Sequence, residues 1–137
     1  MYNNILVPMA LDHGIGEKAI ETARILLAKG GKITALHVYE APKGTASIYL
    51  DEELVQKAYS RAKSELEQRV RQYRDVEPAI IKGHSGRGII DFASEIHADC
   101  IIVGSHNPGL IDYLLGSTAA RVVRHAPCSV HVLRNVT

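Results

Sequence analysis

Five short stretches of aliphatic residues punctuate the chain, at positions 5–9, 33–39, 79–82, 100–104 and 129–133. Four of them are nearly unbroken apolar runs, the pattern of strands covered on both faces. Between them the apolar period becomes that of a helix. Ile15, Ala19, Ala23, Leu26 and Leu27 fall on one face, and Gly30-Gly31 predicts the C-terminal stop. Leu54, Ala58, Ala62, Leu66, Arg69 and Tyr73 trace a second stripe, preceded by Asp51-Glu52-Glu53, whose charges suit the positive end of a helix dipole. Ile89, Phe92, Ala93 and Ile96 mark a third helix. A fourth carries Leu115, Ala119, Val122 and Val123 and stops before Pro127, which cannot continue it. The alternation β-α-β-α-β-α-β-α-β predicts a parallel sheet with right-handed crossovers. The one long connection, 41–50, holds Pro42, Gly44 and small polar residues and is placed to fold over a ligand.

Length and charge narrow what such a sheet can do. The 137 residues fit one domain, 1–137, large enough to bury a core without a metal or disulfide. A formal net charge of +1 argues against a nucleic-acid binder or a membrane-surface protein. No apolar run approaches the roughly 20 residues that span a bilayer. Met1-Tyr2-Asn3-Asn4 lacks the basic region of a signal peptide, so the cytoplasm is the expected compartment. Cys100 and Cys128 form no CxxC motif and read as buried, reduced thiols. The seven histidines include no HxxxH or HxH pair, so no metal site is predicted; His37 and His131, inside strands, read as structural.

Ligands of open parallel sheets bind beyond the carboxyl ends of the strands, where strand order reverses. Four such edges follow strands 1 to 4, at 8–16, 39–50, 83–88 and 105–117. The last is the most informative. Gly104-Ser105-His106-Asn107-Pro108-Gly109 leaves strand 4, and Leu114-Leu115-Gly116-Ser117-Thr118 opens the next helix. Glycine lets a backbone approach an anion closely. A helix start with Ser117 and Thr118 offers amide and hydroxyl donors together. An ordinary glycine turn followed by an N-cap has the same outline.

At these residues the chain resembles the universal stress protein family, and the resemblance covers essentially its whole length. It is carried by Asn4-Ile5-Leu6-Val7-Pro8, Leu36-His37-Val38, Gly83, Ala98-Asp99-Cys100-Ile101-Ile102-Val103-Gly104-Ser105-His106, and the run from Leu114-Leu115-Gly116-Ser117 to Pro127-Cys128-Ser129-Val130. Nucleotide-binding members carry G-x2-G-x9-G-[S/T] at the last of these places. The resemblance implies an ATP site, with Mg2+ carried by the nucleotide. Gly104 and Gly116 would approach the triphosphate, Ser117 and Thr118 would donate to it, and the Val38 backbone would meet the adenine. The loop after Pro8, with Met9, Ala10 and Asp12, would line the ribose and base, beside Gly83. Ser105 and His106 belong to the phosphate loop, and a protonated His106 adds a donor. Two positions depart from the family pattern. Asn107 stands where the second motif glycine is expected, with Gly109 as the flexible substitute. Ala10 stands where many nucleotide binders have an aspartate, leaving Asp12 or a backbone group to replace it.

The predicted fold is a five-stranded parallel sheet of order 3-2-1-4-5 with helices on both faces, Rossmann-like and of the adenine nucleotide α-hydrolase type. The predicted function is an ATP-binding stress or regulatory protein, in which nucleotide orders the 41–50 and 105–111 loops. The alternative, favoured by Ala10 and Asn107, is a nucleotide-free dimeric interaction module. Strand 5, Ser129–Leu133, would be an open sheet edge, and family resemblance implies that it pairs with its copy in a homodimer, with a further protein partner unidentified. A G-x-G-x-x-A pattern at Gly14, Gly16 and Ala19, with Glu40 after strand 2, outlines a dinucleotide fingerprint, but Ala10 to His13 separate it from the strand end. No Walker lysine follows the glycines, and Ser105-His106 has no carboxylate to make a triad, so at most slow ATP hydrolysis is expected. Asp112 is the one acid in the loop placed to reach a nucleotide-borne Mg2+, and Arg121, Arg124 and His125 read as a solvated helix face.

Overall fold

In the computed structural model, residues 1–11, 16–41, 51–105 and 115–134 are described. Five strands, β1 (Tyr2–Pro8), β2 (Leu27–Tyr39), β3 (Val76–Lys82), β4 (Cys100–Gly104) and β5 (Ser129–Leu133), form one sheet of order β3-β2-β1-β4-β5. All neighbouring pairs are parallel. Helices α1 (Gly16–Leu26), α2 (Glu52–Val70), α3 (Ser85–Glu95) and α4 (Ser117–His125) alternate with the strands.

The near-continuous apolar runs resolve into two layers, because successive strand residues point to opposite faces. Ile5, Val7, Ile33, Ala35, Cys100, Ile102 and Leu133 pack on one face with Ala19, Ile20 and Ala23 of α1 and Leu66 and Val70 of α2. Leu6, Leu36, Ile101 and Val103 pack on the other with Ile89 and Ala93 of α3 and Ala119 and Val122 of α4. Among the described residues the buried core side chains are non-aromatic, with Phe92, Tyr2 and Tyr73 packed only partly buried at its margins.

Three local expectations are corrected. Gly30-Gly31 does not stop α1, which ends at Leu26; the pair lies within β2. Gly30 takes φ +82°, and the β1–β2 register slips between Tyr2 and Asn4, so the glycine freedom serves an irregular strand entry instead of a helix cap. The buried stripe of α2 does not run through Leu54, which is 52% exposed, or through Ala58. It begins with the half-buried Val55 and Tyr59, then rejoins the expected Ala62 and Leu66 and ends at the buried Val70. On α4, Val123 faces solvent while Ala119 and Val122 are buried.

Candidate functional site

The strand register creates a crevice at the point where strand order reverses. β1 stays paired with β2 as far as Pro8↔Leu36, and β4 stays paired with β5 as far as Gly104↔Leu133. Between β1 and β4 the pairing consists of Ile5↔Cys100 and Leu6↔Ile101. The β1–β4 ladder thus ends before the carboxyl end of either strand, at the point where strand order reverses. The opposite end is closed by Asp99, whose carboxylate accepts from the Asn3 and Asn4 amides at 2.8 and 2.9 Å, while its own amide donates to Asn4 O at 2.9 Å.

On the β1 side, Met9 is fixed twice. Its amide donates to Leu36 O at 2.7 Å, and its carbonyl accepts from His37 Nδ1 at 2.9 Å. His37 therefore has the satisfied structural role expected of it, and it also sets where the chain turns toward Ala10. Met9 is buried and Ala10 exposed, so the position where an aspartate was missed presents a methyl group to solvent. On the β4 side, the Ser105 amide donates to Leu133 O at 2.9 Å, holding the buried Ser105 at the strand end. Cys100, at the start of the same strand, lies in the core, and burial pushes its thiol pKa up to about 11.

Two helices start at the carboxyl edge of the sheet, α3 after β3 and α4 after β4. α4 has Gly116 as its N-cap, with no side chain to accept from the first-turn amides; Gly116 is buried, Ser117 exposed and Thr118 half-buried. α3 differs: the Glu40 carboxylate, just past β2, accepts the Ser85 amide. The Gly83 amide donates to Tyr39 O at 3.0 Å, and Gly83 takes φ +144°, which lets the chain turn sharply from β3 into α3. Ser85 Oγ and Thr118 Oγ1 meet at 3.1 Å and join the two helix starts. Val38 lies against Gly88 of α3, whose missing Cβ would stand 3.2 Å from Val38 Cγ1.

Of the residues singled out in the sequence, Pro8, Met9, Ala10, Val38, Gly83, Gly104, Ser105, Gly116, Ser117 and Thr118 lie at the carboxyl edge of the sheet or the start of α4. Asp12, His106, Asn107 and Gly109 lie outside the described residues, as do Gly14, Asp112 and most of the 41–50 and 105–111 loops. Glu40, the acid of the dinucleotide outline, is engaged by α3. Sequence reasoning did not single out Ser85. Its only local signal was a hydroxyl residue at a helix start, and its partner Thr118 is 33 positions away. Among the described residues no three His, Cys, Asp or Glu side chains gather to hold a metal ion.

Comparison with known proteins agrees with this architecture. The family model described as the universal stress protein family matches residues 1–134. Universal stress protein G of Escherichia coli O157:H7 is 32% identical over 145 aligned positions, covering 98% of this chain and all of the relative. The structure of universal stress protein UspA from Lactobacillus plantarum superposes with a TM-score of 0.77 at 28% identity, covering 97% of this chain and 98% of that one. A universal stress protein solved in complex with cAMP superposes with a TM-score of 0.62 at 25% identity, covering 96% of both chains. With a doubly wound sheet of matching order and a match over nearly every residue, this chain belongs to the universal stress protein family.

Proposed function

We propose that this protein binds an adenine nucleotide, ATP by preference, in the crevice between β1 and β4, and acts as a nucleotide-dependent regulator. The observation that carries the reading is the end of the β1–β4 ladder at Leu6 and Ile101, at the strand-order reversal, with α4 starting at Gly116 on the same edge of the sheet. The cAMP complex of a structural neighbour supports an adenine ligand. The donors fit a polyphosphate: backbone amides of the first turn of α4, and the Ser117 and Thr118 hydroxyls. Gly104 and Gly116 leave the backbone open to close approach, and the Val38 backbone and the turn at Met9-Ala10 provide the base and ribose side. Bound ATP would bring its Mg2+ with it and supply negative charge to these donors. The protein's own part is to bind, orient and respond.

Mass spectrometry of small molecules released from freshly purified protein, followed by ATP titration calorimetry, tests the reading. Co-purified ATP or ADP, or micromolar binding, is expected. The double substitution Gly116→Val with Ser117→Ala should abolish it. Gly116 has φ −62° and ψ 159°, which any residue adopts, so this variant acts through side-chain bulk and the lost hydroxyl. An empty protein with no heat of binding supports the second reading, a nucleotide-free interaction module, which the exposed Ala10 favours.

Homodimerisation through β5 is part of the same proposal. β5 is the outer strand among the described residues, with Ser129 and His131 exposed and Val130 and Val132 half-buried. The opposite edge, β3, carries Pro78, which has no N–H to offer another strand. Sedimentation at micromolar concentration should give a dimer. No helix among the described residues is long and apolar enough to cross a membrane. A cytoplasmic location and a protein partner that reads the nucleotide state complete the proposal.

A further inference from the structure

We infer that Ser85, at the start of α3, is a positioning residue for the phosphate-binding hydroxyl of Thr118, so that the affinity of the crevice for the phosphate end of a nucleotide depends on a second helix. This rests on the nucleotide reading above and adds to it a residue that neither the glycine motif nor the start of α4 contains.

Three observations carry the inference. Ser85 Oγ and Thr118 Oγ1 are 3.1 Å apart, and both residues are half-buried. The two helix starts reach this distance because α3 has glycine at 86: a Cβ there would lie 2.8 Å from Arg121 Cδ and 3.4 Å from Arg121 Cβ, so the stem of Arg121 rests on the first turn of α3. The amide of Ser85 is held by the Glu40 carboxylate, which fixes the backbone from which the hydroxyl reaches across.

The chemistry follows from proton counting. Each hydroxyl has one proton to give and can also accept. A phosphate oxygen only accepts, so Thr118 binds it by donating its single proton. The contact between Thr118 and Ser85 can then persist only with Ser85 donating to Thr118 Oγ1. The chain becomes directional: Ser85 O–H to Thr118 Oγ1, Thr118 O–H to phosphate. Each bond polarises the next, and a charged acceptor strengthens the last one. Without the Ser85 hydroxyl, Thr118 loses the partner that fixes its rotor and supports its donation. The effect is confined to the phosphate end, since adenosine presents no anionic acceptor to Thr118.

The test measures adenosine and ATP binding by calorimetry for the wild-type protein, Ser85→Ala, Ser85→Thr, Thr118→Val and the double variant Ser85→Ala/Thr118→Val, with urea midpoints as a control on folding. Ser85→Ala should weaken ATP about three- to tenfold, the scale of one hydrogen bond, and leave adenosine within about twofold. Ser85→Thr, which keeps the hydroxyl, should restore ATP binding. The double variant should bind ATP no more weakly than Thr118→Val alone, because the two hydroxyls act as one donor chain. Equal losses for adenosine and ATP, additive losses in the double variant, or unchanged ATP affinity in Ser85→Ala would each overturn the inference while leaving the nucleotide site standing. A wild-type protein that binds neither ligand overturns the nucleotide reading and this inference with it.

Discussion

Asp99 offers a direct measure of how the two halves of the sheet are held together. β1 and β4 share the pairs Ile5↔Cys100 and Leu6↔Ile101, and the Asp99 carboxylate adds two amide bonds at the end away from the crevice. Asp99→Ala removes both acceptors. A hydrogen bond to a charged group contributes about 1.5–3 kcal/mol, but water replaces the acceptor for an exposed amide. Asn3 is exposed and recovers most of its loss; Asn4 is half-buried and recovers little. The expected cost is therefore about 2–3 kcal/mol, or roughly 6–12 °C in Tm for a chain of this size. Asp99→Asn keeps one carbonyl acceptor but turns an amide N–H toward the other donor, and should cost about half as much. The assay is urea denaturation, with the slope m unchanged between variants, and hydrogen exchange at the Asn4 amide as the local readout. Asn4→Ala is a control in the same place. Asn4 Nδ2 donates to Ile96 O at 2.6 Å, but Asn4 Oδ1 is buried with no partner, so the lost bond is offset by removal of an unsatisfied oxygen. Its cost should stay below about 1 kcal/mol. Asp99→Ala within 0.5 kcal/mol of wild type, a threshold of about the scatter among surface substitutions, would refute the assignment of Asp99 as the clamp of this seam.

Other predictions follow from single contacts. Gly31→Ala should destabilise by about 1–3 kcal/mol in the same denaturation assay, because its Cβ would fall 2.6 Å from Leu27 Cδ1 and 3.0 Å from the Ala28 carbonyl oxygen. The Arg24 guanidinium, hydrogen-bonded to Asp75 and stacked on Tyr73, holds the Asp75 pKa below its ordinary value. A depressed carboxyl pKa contributes stability above the unfolded value, and that stability is lost as pH falls below about 4. Both partners are more than one-third exposed, so Asp75→Asn should lower stability only slightly at neutral pH and flatten the acid limb of the stability curve there alone. Iodoacetamide at pH 8 should label Cys128 slowly and Cys100 only after denaturation, since burial raises both thiols and Cys100 is the more deeply enclosed; peptide mass spectrometry gives the order.

The sheet was legible because each strand carries a short apolar segment: the residues of β4 match the segment read from sequence at both ends, and so do those of β5, whereas β1, β2 and β3 begin earlier than their apolar segments. Strand order and the switch point followed from the family resemblance, and the structure has that order. What the sequence concealed were tertiary choices among equivalent local patterns. Gly30-Gly31 suits a helix stop and an irregular strand entry equally, and β1 pairing decided for the strand. Leu54 and Val55 are both apolar, and tertiary packing leaves the first exposed and the second half-buried. The candidate site was legible where its parts are local, as in the Gly116-Ser117-Thr118 start of α4. It was not legible where the parts come from distant segments: Glu40 and Ser85 are 45 positions apart, and Ser85 and Thr118 are 33.

The first turns of α3 meet both Thr118 and Val38, the residues proposed above for the phosphate and base ends of the nucleotide, and this makes Gly88 a discriminating position. A Cβ at 88 would lie 3.2 Å from Ile81 Cδ1 and from Val38 Cγ1, and 3.4 Å from Val38 Cγ2. Those atoms are branch ends of side chains that must give by a few tenths of an ångström. Against that cost, alanine is favoured over glycine inside a helix by about 0.8–1 kcal/mol. The two effects nearly cancel, so Gly88→Ala should change stability by less than about 1 kcal/mol. The displaced group is Val38, where the base is expected, whereas the Ser85–Thr118 contact lies nearer the start of α3. Adenosine and ATP should therefore weaken together in Gly88→Ala, by about twofold or more, the reverse of the pattern expected for Ser85→Ala. Calorimetry on a variant of unchanged urea midpoint reads this cleanly. Full adenosine affinity in such a variant would refute the idea that a shift of the Val38 side chain is passed to the backbone on which the base is proposed to rest.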